Sequence, residues 1–153
     1  LLRHIAPTNG KIARIFSLIG DDTPAQYPVG IFVRQAMLHQ RVTVNGGENI
    51  FRSYLHVEDC ARWLLQILEW GAPLRPYHVG GSEPHSISEL ADMVGAVFGV
   101  PVDHREDTKP GEAYLPNLTA ASELGLEQTI STTTALERAR DKISIRHPDL
   151  EAT

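Results

Sequence analysis

The sequence has 153 residues, 42% apolar and 22% charged, which supplies one folded core and excludes a disordered chain. Its net charge of −5, from 14 basic and 19 acidic residues, lacks the positive footprint of a nucleic-acid binder. Apolar runs are far too short for a membrane-spanning helix, and the single cysteine, Cys60, allows neither an internal disulfide nor a cysteine-built zinc site.

In chain order, Leu1 to Ile5 reads as the end of a helix, followed by a turn through Pro7, Thr8, Asn9 and Gly10. The opening Leu1-Leu2-Arg3-His4 has no secretory pattern, so we expect a cytoplasmic segment cut from a longer chain. Lys11 to Phe16 is a strand rich in Ile and Phe, Ser17 to Gly20 leaves it, and Asp21 to Gln26 is loop. Pro28 suits a first helical residue, because its missing N–H has no helical partner there. Val29, Phe32, Val33, Ala36 and Met37 then fall on one face of a helix ending near His39.

Val42 to Val44 and Ile50 to Leu55 are strand-like, and Asn45-Gly46 between them signals a hairpin whose turn type is left open by the five loop residues. Pleating puts Phe51, Ser53 and Leu55 on one face and Arg52, Tyr54 and His56 on the other. That second face either presents an arginine, a phenol and an imidazole to a ligand or is simply solvated. A helix over Val57 to Trp70 follows, with an apolar stripe at Val57, Cys60, Ala61, Leu64 and Leu68. Cys60 reads as a small core residue, and Trp63 and Trp70, a heptad apart, as packing. Pro76 to Val79 is a short strand ending in Gly80-Gly81. Ser86-Ile87-Ser88-Glu89 is a capping box, opening a helix that carries Leu90, Val94, Val97 and Phe98 and stops at Gly99. Val102 to Arg105 is a strand, Lys109 to Glu112 a turn, Ala120 to Leu124 a short helix stopped by Gly125, and Thr132 to about Ile143 the last helix. His147-Pro148 ends order, with a frayed tail at residues 151–153.

Single residues decide little. His56, Glu58 and Asp59 cluster at a strand-to-helix junction without metal-ligand spacing, and acidic residues in a first helical turn already follow from the macrodipole. Gly80-Gly81 could cradle a phosphate but lacks the full glycine-rich context.

The order of segments says more. Ala13-Arg14-Ile15-Phe16-Ser17-Leu18-Ile19-Gly20 resembles the "aRyfNvyGp" strand and loop of sugar-nucleotide epimerases and dehydratases, in the extended short-chain dehydrogenase/reductase family. Ile31-Phe32-Val33-Arg34-Gln35-Ala36 is similar to their "firqal", Val42-Thr43-Val44-Asn45-Gly46-Gly47 to "itvyGdG", and Phe51 through Ala61 to "tRsfihVdDva". Tyr77-His78-Val79-Gly80-Gly81 resembles "yNiGg", Ser86 through Ala91 "siseLa", Lys109-Pro110-Gly111-Glu112 "RPGd", and Ala121 through Leu126 "akkeLGw". These runs keep the family's order over nearly the whole chain.

The resemblance implies an α/β fold: the C-terminal, substrate-binding part of a Rossmann-like enzyme whose nucleotide-binding N-terminal half is missing. It implies that residues 1–150 form this portion. Residues 1–20 and about 57–80 would join the Rossmann sheet and its helices, and the rest would be a smaller lobe. NAD or NADP is the implied cofactor, held mainly by the missing half; no Gly-x-x-Gly-x-x-Gly and no Tyr-x-x-x-Lys occurs in this sequence. No catalytic residue is therefore expected here, and the chain alone is expected to be inactive. The intact protein would be a homodimer handling a nucleotide diphosphate sugar by hydride transfer at a hexose carbon. The alternative is a non-catalytic ligand or redox sensor on the same scaffold.

Residue by residue, the resemblance gives Arg52 the diphosphate, a role that suits a planar, permanently charged guanidinium. Ser17 stands where the family has Asn beside the sugar diphosphate, and Phe16 and Leu18 lie toward the cofactor. Gly30, Ile31 and Phe32 begin a helix at the mouth of the cleft, and Val44 and Asn45 fall where the base packs. His78 replaces the usual Asn, Lys109 the usual Arg, and Glu112 stands for the acidic residue that meets the ribose hydroxyls.

Overall fold

The computed structural model describes residues 9–20, 26–106 and 110–146. The expectations for the opening helix end, for the loop at 21–25, for Lys109 and for the tail after residue 146 lie outside the described residues.

The strands are β1 (Ile12–Ile15), β2 (Leu18–Ile19), β3 (Val42–Asn45), β4 (Ile50–Ser53), β5 (Leu55–His56), β6 (Pro76–Val79), β7 (Pro84–Ser86), β8 (Val102–Arg105) and β9 (Glu112–Tyr114). The helices are α1 (Pro28–His39), α2 (Val57–Trp70), α3 (Ile87–Phe98), α4 (Thr119–Ser122) and α5 (Thr132–Arg146). Parallel pairs join β1 to β6, β2 to β5 and β3 to β8, while β4 lies between antiparallel β7 and parallel β9. Parallel strands need crossovers, and the helices supply them.

Local signals set several boundaries. Pro28 starts α1 as expected, and the Ser86–Glu89 capping box is complete: the Glu89 N–H donates to Ser86 Oγ at 3.0 Å, and the Ser86 N–H donates to Glu89 Oε2 at 2.7 Å. Gly99 ends α3 at φ 67°, a conformation glycine adopts without steric cost. Val29, Phe32 and Ala36 of α1 are buried against Val42 and Val44 of β3 and Leu90, Ala91 and Val94 of α3, forming one core cluster with Leu136 of α5. A second cluster joins Cys60, Trp63 and Ile67 of α2 to Leu55, Tyr77 and Val79.

Several expectations are corrected. The Asn45-Gly46 turn closes no hairpin. Val42 and Val44 are buried under α1 and α3, so β3 pairs with β8, and the Gly46 N–H extends that pairing to the Arg105 carbonyl at 2.6 Å. Gly47, at φ 91°, then turns the chain into another sheet; a Cβ there would lie 2.9 Å from Ile87 Cβ. The stripe expected on α2 is rotated as well. Val57 and Leu68 are exposed, whereas Cys60, Trp63 and Ile67 are buried with Asp59. Trp63, one of two tryptophans on the helix, turns inward and donates its indole N–H to the Glu127 carbonyl at 3.1 Å. Trp70 stands 69% exposed instead of packing.

Ser17 to Gly20 does more than leave a strand, because Leu18–Ile19 pairs with β5. The run Ile50 to Leu55 is broken at Tyr54 and serves two sheets. Its Arg52–Tyr54–His56 side is not a solvated face, since Tyr54 and His56 are buried. The short strands β7 and β9 arise from non-local pairing, and the last helix runs on to Arg146.

Candidate functional site

The end of β1 is pinned on two sides. The Phe16 N–H donates to the Val79 carbonyl at 2.8 Å, and the Leu55 N–H donates to the Ser17 carbonyl at 3.1 Å. The bend between β1 and β2 thereby brings Ile15, Phe16, Ser17 and Leu18 to one wall of a cavity of about 520 Å³. That size is within the range of small-ligand pockets. Tyr27 and Pro28 at the entry to α1, Arg52 and Tyr54 around the strand break, and Tyr114 of β9 complete the lining.

Among the described residues Arg52 is the one cation lining this cavity, and its side chain is 21% exposed. It donates through Nη1 to the Phe51 carbonyl at 2.8 Å and pairs through Nη2 with Glu112 at 3.2 Å. Its guanidinium carbon lies 5.8 Å from the centre of the Tyr114 ring. Glu112 is 64% exposed, so this ion pair is worth little and an incoming anion can replace it. Burial pushes the Tyr54 phenol up to about 12, against the opposing effect of the Arg52 charge, so it stays neutral and able to donate. The Phe16 ring stacks on Tyr114 at 4.7 Å and tilts against His78 at 4.9 Å. His78 Nδ1 accepts the Asn117 N–H at 3.0 Å. A mostly apolar wall rich in aromatic rings, with an arginine and a few hydroxyls, suits a ligand that has flat apolar surfaces and an anionic centre.

The structure thus brings together Phe16, Ser17, Leu18 and Arg52 from the sequence expectations, with Glu112 and His78 joined to them by direct contacts. It does not bring the other described candidates to the cavity lining. Phe32 is packed in the core, Gly30 is buried and Ile31 partly exposed on α1. Val44 is buried in the core and Asn45 exposed, both on the β3–β8 sheet. Tyr27 and Tyr114 are not marked by the sequence, whereas Tyr54, which shares pleat parity with Arg52, is on the strand face read as a possible ligand-presenting one, and the structure places it in the lining.

The cluster at His56, Glu58 and Asp59 is divided among structural tasks. His56 caps α2 by accepting the Glu58 N–H at 3.2 Å, and Glu58 pairs with Arg138 at 3.0 Å. Asp59 accepts from the Thr129 N–H at 2.8 Å, the Thr129 hydroxyl at 2.6 Å, the Ile130 N–H at 3.0 Å and Arg62 at 2.7 Å. Burial raises its pKa, but these donors outweigh burial and hold it at about 2. Among the described residues no group of three His, Cys, Asp or Glu side chains is placed to hold a metal ion, and no helix is long and apolar enough to cross a membrane. Gly80-Gly81 provides close approach: a Cβ on Gly81 would lie 2.3 Å from the Tyr54 carbonyl oxygen.

No protein-family model matches the chain, and no curated protein matches it in sequence. Solved structures do. UDP-glucuronic acid 4-epimerase from Bacillus cereus, in complex with NAD, superposes with a TM-score of 0.72 at 21% identity, over 87% of this chain and 42% of that one. The dTDP-glucose 4,6-dehydratase from Bacillus anthracis, also with NAD, gives 0.75 at 16% identity, over 89% and 45%. UDP-glucose 4-epimerase from Thermotoga maritima, with UDP-glucose, gives 0.71 at 22%, over 88% and 45%. This chain shares the fold of part of each of these enzymes. It spans under half the length of these enzymes, and at such identities the likeness is one of fold. The parallel β1–β6, β2–β5 and β3–β8 pairs agree with the α/β, parallel-stranded fold class expected from the sequence runs.

Proposed function

We propose that this chain supplies the nucleotide-sugar-holding part of an NAD(P)-dependent epimerase, dehydratase or reductase. The observation that carries the reading is Arg52, a little-exposed cation lining an aromatic cavity beside the ends of parallel strands. In this reading the guanidinium holds the diphosphate bidentately, displacing Glu112, which is then free to meet sugar or ribose hydroxyls. The neutral Tyr54 phenol and the Ser17 hydroxyl donate to the ligand's oxygens. The Tyr27 ring at the entry to α1 packs against its flat face, and the rest of the aromatic wall excludes water. Asn45 and Lys109 are proposed for the outer, base-bearing part, with the start of α1 at Gly30 and Ile31.

Phe16 and Leu18 offer the cavity the apolar wall that one face of a nicotinamide ring requires, so these residues fit the edge of a dinucleotide site. When bound, the dinucleotide supplies the hydride acceptor. This chain's own contribution is to orient the hexose by remote binding energy. We further propose that the intact protein is a homodimer.

Calorimetric titration of the full-length protein with UDP, dTDP and GDP tests the reading. At least one should bind, and Arg52→Ala should weaken it by about 1.5–3 kcal/mol, roughly 10- to 150-fold. Equal affinity in the two proteins would refute the assignment.

A further inference from the structure

The one aromatic ring in direct contact with both Arg52 and Phe16 is Tyr114, among the described residues. It sits in β9, directly opposite Arg52 in the parallel register with β4, so the two side chains emerge on the same side of the sheet. Arg52 has five N–H donors. Nη1 engages the Phe51 carbonyl and Nη2 engages Glu112. A ring that takes the flat face of a guanidinium leaves its in-plane donors available, and those are the donors a bidentate anion needs.

We infer that Tyr114 is a positioning residue for the anion site: its ring, backed by Phe16, holds the Arg52 fork aimed into the cavity. The inference rests on the proposed diphosphate role of Arg52. Its phenol oxygen has no part in this, so the ring alone suffices. The Phe16–Tyr114 stack also couples the anion site to the bend between β1 and β2. Ser17 and the cofactor-facing wall therefore keep a fixed distance from the diphosphate.

The test uses the full-length protein and whichever of UDP, dTDP and GDP binds it, alongside the same nucleoside without phosphates. Tyr114→Leu should weaken the diphosphate about fivefold and leave the nucleoside unchanged. Tyr114→Phe should restore the affinity. In an Arg52→Ala background, Tyr114→Leu should add nothing, because the partner through which it acts is gone. Tyr114 is 46% exposed, so these variants should fold, and thermal melts verify it. An equal loss for nucleoside and diphosphate, a persisting loss in the Arg52→Ala background, or no loss at all would each overturn the inference. If Arg52→Ala itself leaves the diphosphate affinity unchanged, the functional reading fails and this inference falls with it. If Arg52→Ala weakens binding and Tyr114→Leu does not, the positioning role alone is wrong.

Discussion

Asp59→Asn should weaken the fold in a way that itself depends on pH. The Asp59 carboxylate is 2% exposed and accepts two backbone N–H groups, a hydroxyl and a guanidinium, tying the start of α2 to residues 129 and 130. An amide of the same shape turns two hydrogens toward donors, and removes the charge that organised them. At neutral pH the cost should be about 3 kcal/mol. Part of this is charge-dependent. The carboxyl is held at about 2 in the folded protein, below the 3.8 of an unperturbed aspartate. A depressed acid contributes stability above its unfolded pKa and loses it as pH falls through the folded one. The shift corresponds to about 2.5 kcal/mol at most, and screening of the half-exposed Arg62 reduces it to about 2 kcal/mol. About half of that disappears by roughly pH 3, so the gap between wild type and Asp59→Asn should narrow by about 1 kcal/mol from pH 7. Urea unfolding at both pH values measures it. A gap that stays constant, or an unchanged midpoint at pH 7, would show that the carboxylate does not tie these segments together.

Two more outcomes follow from backbone geometry. Gly81→Ala should destabilise by about 3 kcal/mol, since its Cβ would lie within 2.3 Å of the Tyr54 carbonyl oxygen. It should also displace Tyr54 and weaken diphosphate binding; thermal melting and titration check both. Ser86→Ala removes one half of the capping box and should cost about 1 kcal/mol, read as a shift in urea midpoint at unchanged slope.

What the sequence made legible is what short-range chemistry decides. Pro28, the Ser86–Glu89 box and Gly99 each act within one helical turn, and the helix boundaries they mark stand where they were read. The apolar face of α1 was legible too, because one dominant stripe meets one core. On α2 the count of apolar positions misled: burial of Trp63 and of the Asp59 carboxylate, whose donors come from residues 129 and 130, fixes the rotation instead. The strands β7 and β9 were missed for the same kind of reason. Each is three residues long and exists through β4, far away in sequence. The site divides along this line. Phe16, Ser17, Leu18 and Arg52 lie on contiguous strand ends with recognisable neighbours, whereas Tyr114 reaches Arg52 through a register that no local pattern encodes.

That register bears on the time course of folding. Among the described residues none of the strand pairings links strands that follow one another in sequence, and the β4–β9 pair spans some of the longest separations, from Ile50 to Glu112. Non-local contacts must meet the entropy of closing long loops before they contribute. The Arg52 wall is therefore expected to assemble late, after the helices have formed. A ligand gripped by that wall would slow unfolding while leaving the folding rate nearly untouched. Nucleotide diphosphate would then act on this chain as a lock closed after assembly, and not as a template for it.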